Sequence, residues 1–149
     1  KAGTPSRLAA QAAATAAAAA EAARLEAERA AAAERAARDA QRAAALANAQ
    51  ANPKAAAQAL VAQRGWNDAQ FQCLVRLWTK ESNWNYRATN RSSGAYGIPQ
   101  SLPGSKMASA GADWRTNPVT QITWGLGYIA GRYGTPCGAW AHSQSYNWY

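Results

Sequence analysis

Every one of the aromatic side chains in this 149-residue chain, seven Trp, six Tyr and one Phe, lies at Trp66 or later, and every glycine except Gly3 lies at Gly65 or later. Residues 1–59 are about half alanine, with Leu8, Leu25 and Leu46 as the only larger aliphatic side chains. Large apolar side chains supply most of the burial that holds a domain together, so a globular core is excluded there. The compact domain must be built from about residue 60 onward. At that size a single core is small, and a covalent staple is expected.

Cys73 and Cys137 are the only cysteines, both in the compact part, and His142 is the only histidine. A zinc site wants more Cys or His ligands at short spacing, so a metal is not expected. A disulfide is the favoured reading, with two free buried thiols as the alternative. A bridge closing so long a loop contributes about 4 kcal/mol in the chain-entropy description, and it implies an oxidising, extracytoplasmic address. A start at Lys1, with Met107 the only methionine, is read as a fragment or a processed product, removal of an export signal being one route.

The net charge of +8 divides into +3 for residues 1–59 (8 basic, 5 acidic) and +5 for residues 60–149 (8 basic, 3 acidic). A basic domain favours polyanions: nucleic acid, an anionic membrane surface or an acidic wall polymer. Nucleic acid is disfavoured, because the aromatics do not alternate with Lys/Arg along a single-strand platform and no docking motif occurs. No apolar run approaches the ~20 residues of a bilayer span, so no membrane span is expected.

Four prolines follow a capping residue: Thr4-Pro5, Asn52-Pro53, Asn117-Pro118 and Thr135-Pro136. Each pair reads as an N-cap with proline at the first helical position, where its missing N–H costs nothing. The first helix is predicted from Pro5 to Gln50, roughly 70 Å at 1.5 Å per residue, supported by alanine propensity and by the pairs Glu34/Arg38, Arg35/Asp39, Glu21/Arg24 and Glu26/Arg29. It has no Leu/Ile/Val heptad seam, so a conventional coiled coil is not indicated. Packing of residues 5–50 on a partner helix through alanine faces, by self-association or with another protein, is one reading. A solvated spacer is the other.

A second helix runs from Pro53 to Arg64, stopped by Gly65. A third opens at Asn67 or Asp68, with Phe71, Leu74, Val75 and Trp78 inward, and ends on Lys80, Glu81 and Ser82. Gly, Ser, Asn and Pro then dominate from Asn83 to Asp113, a long irregular stretch of the kind that carries function. A fourth helix spans Pro118 to Tyr133 with Val119, Ile122, Leu126 and Ile129 inward. The last starts at Pro136 and carries Cys137. The fold class is therefore mainly α: a small helical domain with one disulfide, residues 53–149, preceded by a long Ala-rich helix, residues 1–52.

Three acids occur in the compact part. Asp68 complements a helix dipole, and Asp113 reads as a turn residue or as a substrate or catalytic contact. Glu81 stands between Trp78 and Trp84 at the end of an apolar helix, where poor solvation raises a carboxyl pKa toward the range of a general acid. A helix-end salt bridge with Lys80 or Arg91 is the alternative. Trp78 and Trp124, on helix faces with apolar neighbours, are expected in the core. His142 is either a hydrogen-bonded structural residue or a substrate contact.

Glu81-Ser82, then Asn90, Ser93-Gly94-Ala95-Tyr96-Gly97-Ile98-Pro99-Gln100, then Asn117-Pro118 with Ile122, Gly125 and Tyr128, resembles the catalytic domain of lytic transglycosylases of the lysozyme-like superfamily. The compact, secreted, disulfide-containing actinobacterial type is the most similar. The resemblance covers about residues 60–149 and not the alanine-rich helix. It implies a lysozyme-like fold, a peptidoglycan substrate, no cofactor and a secreted, wall-associated location. It also implies that Glu81 protonates the glycosidic oxygen between N-acetylmuramic acid and N-acetylglucosamine. Glu81 then takes the proton of the muramic C6 hydroxyl as that oxygen closes a 1,6-anhydro ring. By the same resemblance Ser82 could orient Glu81, Tyr96 or Gln100 could contact substrate, Trp84 in the loop after the acid is expected to stack on a sugar face, and Tyr128 is either a substrate contact or a core residue of its helix. The family's Ala-Tyr-Asn segment is replaced here by Ala139-Trp140-Ala141-His142.

Overall fold

A computed structural model of the chain describes residues 3–149. The chain divides into two compact units, one extending to Ala43 and the other spanning Ala44–Tyr149. Five α-helices carry the structure: α1 (Arg7–Ala51), α2 (Pro53–Gln63), α3 (Asp68–Ser82), α4 (Pro118–Tyr133) and α5 (Pro136–Tyr146). A short 3-10 helix, Gly104–Ser109, lies within the long irregular stretch.

In the first unit, α1 is exposed along its whole course except for a half-buried Ala31. Ser6, not Thr4, is its cap: the Ser6 hydroxyl accepts from the Ala9 N–H at 3.2 Å, so Thr4-Pro5 precedes the helix. The start expected at Pro5 moves to Arg7 for that reason, and residues 1 and 2 of the expected segment lie outside the described residues. Arg24 pairs with both Glu21 and Glu28, Arg38 with Glu34 and Arg42 with Asp39. The expected Arg35/Asp39 and Glu26/Arg29 pairs do not form among the described residues; Asp39 faces Arg42 instead. All these side chains are more than half exposed, so each pair contributes only about 0.3–0.5 kcal/mol.

The second unit is the folded domain. The other three capping pairs act as the sequence predicts, with the side chains of Asn52, Asn117 and Thr135 accepting backbone N–H bonds at the starts of α2, α4 and α5. Asn67 caps α3 by accepting from the Gln70 N–H at 3.2 Å. Gly65, with φ +78°, turns the chain after α2. Phe71, Leu74, Leu77 and Trp78 of α3 meet Ile122, Leu126 and Ile129 of α4 in one buried cluster that also takes Val61 of α2 and Ala139 of α5. The Cys73–Cys137 disulfide joins α3 to α5 across 64 positions of sequence. A loop of that length gives about 4 kcal/mol of chain-entropy stabilisation.

Two core expectations on α4 fail, Val119 and the only half-buried Trp124. Val119 is on the surface, and its place in the buried row is taken by Pro118. The inward row runs 118, 122, 126 in steps of four rather than starting at 119, and it carries Gln121 inward with it. Gln121 is fully buried and bonds to three separate loop segments. Those bonds fix the rotation of the helix.

Candidate active site

The irregular stretch after α3 is organised by its own polar side chains. Asn83 closes α3 in the left-handed region, φ 51°, and Trp84 follows at φ 60°. The Asn90 carboxamide oxygen accepts from the backbone of Ser92 and Ser93 and from the Ser92 hydroxyl, an Asx turn that brings Tyr96 into bridges with Thr89 and Ser101. Gly97, φ +80°, must be glycine on two counts: the backbone is left-handed, and a Cβ would stand 2.7 Å from the Gln121 carboxamide. Gly125 on α4 is needed for close approach, since a Cβ there would stand 2.6 Å from the Trp78 ring.

Glu81 sits half-buried on the last turn of α3. The salt-bridge alternative is not realised: the ion pairs among the described residues all lie on α1. The Lys80 ammonium instead donates to the Ser143 carbonyl (2.9 Å) and hydroxyl (3.0 Å) on α5. Burial pushes the Glu81 carboxyl above its ordinary pKa, and the nearby Lys80 charge offsets this only in part.

Neither of the other two acids stands free beside Glu81. Asp68 is at the opposite end of α3, about 20 Å along the axis from Glu81 at 1.5 Å per residue. Asp113 accepts from the Thr120 hydroxyl (2.6 Å) and the Asn117 amide (2.8 Å). Those bonds hold its pKa below the ordinary value. It is thus a turn residue anchoring the start of α4.

Ser82 does not bond to Glu81. Its hydroxyl donates to the Ile98 carbonyl at 2.7 Å, pinning the loop Gly94–Gln100 to the end of α3. Tyr96 donates its hydroxyl to the Arg115 carbonyl at 2.6 Å and sets its ring edge-on to Trp114. Gln100 donates from its amide to the Ala88 and Gly97 carbonyls, yet it borders an open recess of about 110 Å³. Tyr128 borders the same recess, its ring stacked on Trp124 at 5.4 Å and 15°.

Two tryptophans exchange the places the sequence suggested. Trp84 is 5% exposed, edge-on against Trp78, with its indole N–H given to the Val75 carbonyl. It has no free face for a sugar, because the left-handed turn at Asn83–Trp84 folds it back under α3. Trp124, expected in the core, is only half-buried and borders both the 110 Å³ recess and an adjoining one of about 440 Å³ along α4. It sits on the flank of α4 away from the 118–122–126 row. His142 is not hydrogen-bonded as the structural reading had it: its Nε2 is buried with no partner among the described residues. Its ring packs among Tyr133, Tyr146 and Trp148, with Tyr133 standing between it and Tyr149.

The residue that sequence reasoning missed is Tyr149. Its hydroxyl accepts from the Trp78 indole N–H and donates to the Pro99 carbonyl, both at 2.8 Å, tying α3 to the loop. Burial holds that phenol well above its ordinary pKa, and the neighbouring Glu81 charge pushes the same way. Tyr149 therefore lies within electrostatic reach of Glu81 and also borders the recess that Gln100, Trp124 and Tyr128 line. No pattern of spacing announced it. The arrangement as a whole is one poorly solvated carboxyl with no other acid near it, linked through Tyr149 to an aromatic and amide recess suited to a carbohydrate.

The family model described as Transglycosylase SLT domain matches residues 59–148. No curated protein and no solved structure matches the chain.

Proposed function

The chain belongs to the transglycosylase SLT domain family, whose members carry out lytic transglycosylase-type cleavage of peptidoglycan, and we propose that in this member Glu81 alone supplies both the acid and the base. The observation that carries the reading is the solitary, raised carboxyl. Ordinary glycosidases place two carboxyl groups about 5–9.5 Å apart, one as acid and one as base or nucleophile. Asp68 is too far along α3, and Asp113 is fully hydrogen-bonded elsewhere.

A single group suffices when the nucleophile belongs to the substrate. Glu81 gives its proton to the glycosidic oxygen of the β-1,4 bond between N-acetylmuramic acid and N-acetylglucosamine, and the C1–O bond breaks. The carboxylate so formed takes the proton of the muramic C6 hydroxyl as its oxygen bonds to C1. The product ends in 1,6-anhydromuramic acid, Glu81 is again protonated, and no cofactor is called for. The Cys73–Cys137 disulfide and the peptidoglycan substrate support a secreted, wall-associated address.

Purified peptidoglycan incubated with the protein should yield 1,6-anhydromuropeptides by mass spectrometry. Reducing-end products would make the protein a muramidase instead. No products at all would favour a wall-binding module carried by a structural or assembly protein.

The division of labour proposed is that residues 53–149 carry the chemistry and residues 1–52 place or assemble it. The near-complete exposure of α1 in the first unit supports this. Sedimentation of the full chain should give a mass above that of one chain, or a shift on adding a wall-associated partner. A monomer whose first 50 residues are digested at once by protease would sink the self-association half of this reading.

A further inference from the structure

From the geometry of the recess we infer that Lys106 reads an anionic group on the muramic acid residue, and so distinguishes peptidoglycan from neutral β-1,4 glycans. The inference rests on the transglycosylase reading above and adds a specificity determinant to it. Lys106 borders the same 110 Å³ recess as Gln100, Trp124, Tyr128 and Tyr149.

Most cations of the folded unit already have occupation. Arg64, Arg87 and Arg115 lie over the rings of Trp66, Tyr86 and Trp114, Arg132 lies over Tyr133 and Trp148, and Lys80 is bonded to Ser143. The Lys106 ammonium has no ion pair, hydrogen bond or aromatic ring of its own among the described residues. No acid lines the recess with it.

Its backbone is nonetheless fixed. Lys106 lies in the 3-10 helix Gly104–Ser109, where Met107 is fully buried and Gly104 is buried against Tyr96 and Trp114, so closely that a Cβ would stand 2.9 Å from the Tyr96 Cβ. The Lys106 N–H donates to Pro103, and its carbonyl accepts from the Ser109 hydroxyl. A lysine on a rigid turn costs less entropy to use than one on a mobile loop.

The chemistry selects the ligand. Stacked rings and an amide serve any hexosamine; the exposed Lys106 ammonium can donate to neutral sugar oxygens too, but its bond to an anion is the stronger, charge-assisted one. N-acetylmuramic acid differs from N-acetylglucosamine by a lactyl ether on O3. That group presents a free carboxylate when the strand has lost its peptide, or leads to the carboxyl groups of the stem peptide when it has not. Both sources offer a carboxylate, the lactyl one in the first case and one of the stem peptide in the second.

The test uses the full chain carrying Glu81→Gln, so that ligand is bound without turnover, with quenching of tryptophan fluorescence as the readout. Three ligands are titrated: a peptide-free muramoyl tetrasaccharide, the same glycan with stem peptides, and neutral chitotetraose. Adding Lys106→Ala should weaken binding of a muramoyl ligand roughly fivefold at low salt, with the gap narrowing as salt is raised. Chitotetraose binding should change less than twofold, and Lys106→Arg should restore muramoyl affinity. Loss confined to the peptide-free ligand identifies the lactyl carboxylate, and loss confined to the peptide-bearing one identifies the stem. Equal effects on all three ligands, or no effect on any, would overturn the role of Lys106 while leaving the transglycosylase reading intact. Failure of the Glu81→Gln parent to bind any of the three would bring down that reading, and the Lys106 assignment with it.

Discussion

Glu81→Gln is expected to cut turnover of peptidoglycan by about a thousandfold or more, because one group carries both proton transfers and each is worth roughly 10²–10⁴. The fold should be unharmed. At neutral pH the variant should be at least as stable as the parent, since Glu81 makes no ion pair and its pKa is raised by burial. The sign follows from linkage: a carboxyl with a folded pKa above its ordinary value of 4.5 binds its proton more tightly when folded. The protonated form therefore favours the native state, and ionisation works against it as pH rises through the folded pKa. The amide mimics the protonated form, so the two proteins should melt together below the ordinary carboxyl pKa. They should separate between that value and the raised folded one. The same titration governs the rate, because the reaction starts from the acid, so activity should decline on the basic side along a limb displaced above the ordinary carboxylate range. Lys80→Met removes the charge that opposes the shift and should carry the limb to still higher pH. Retained activity in Glu81→Gln would remove Glu81 from the mechanism. A marked loss of its melting temperature at pH 7 would reveal a stabilising contact for the carboxylate.

How much of this was legible in the chain depends on the range over which each signal acts. The capping pairs at Asn52, Asn117 and Thr135, the inward stripe of Phe71, Leu74 and Trp78, and the acid at the end of an apolar helix are encoded within a few residues. Reading them needs only propensity and periodicity. The fate of Trp84 and Trp124 is not encoded locally. Both look like aromatic residues beside apolar neighbours, and their exposure depends on a left-handed turn at Asn83 and on a rotation of α4 that Gln121 enforces. Val119 failed for the same reason. Thr4-Pro5 failed because a better cap, Ser6, followed it at once. Ser82 and Tyr149 show a different limit. A hydroxyl has one proton to donate, and the choice between Glu81 and the Ile98 carbonyl, or the pairing of Trp78 with a tyrosine 71 positions away, is settled only by tertiary packing. Lys106 carries no pattern at all until the recess exists.

Gln121→Met should be among the most destabilising single changes in the domain, lowering the free energy of unfolding by about 4 kcal/mol, with the helices still formed. The Gln121 carbonyl oxygen accepts from the Ile98 N–H at 2.9 Å, and its amide donates to the Tyr86 carbonyl at 3.0 Å and the Trp114 carbonyl at 2.8 Å. The side chain is fully buried, so methionine fills its volume while leaving one N–H and two carbonyls unpaired. Each orphaned group costs about 1–3 kcal/mol, against a total stability of about 5–15 kcal/mol for an ordinary domain. The effect reaches the site because Ile98 is also the residue to which Ser82 is bonded, and Pro99 next to it holds Tyr149. Freed from Gln121, the loop should bind glycan more weakly, raising KM more than it lowers kcat. Gln121→Glu separates hydrogen bonding from packing. At pH 7 its carboxylate would face two carbonyl oxygens without a proton to offer, and burial would raise its folded pKa. Stability is then gained as pH falls through that pKa, where the protonated carboxyl regains one donor and keeps an acceptor for Ile98. Urea unfolding at pH 7 and pH 4 should therefore show the deficit of Gln121→Glu shrinking in acid, while that of Gln121→Met stays constant relative to the parent. A loss below about 1 kcal/mol for Gln121→Met would mean that the three loop segments hold together without this side chain.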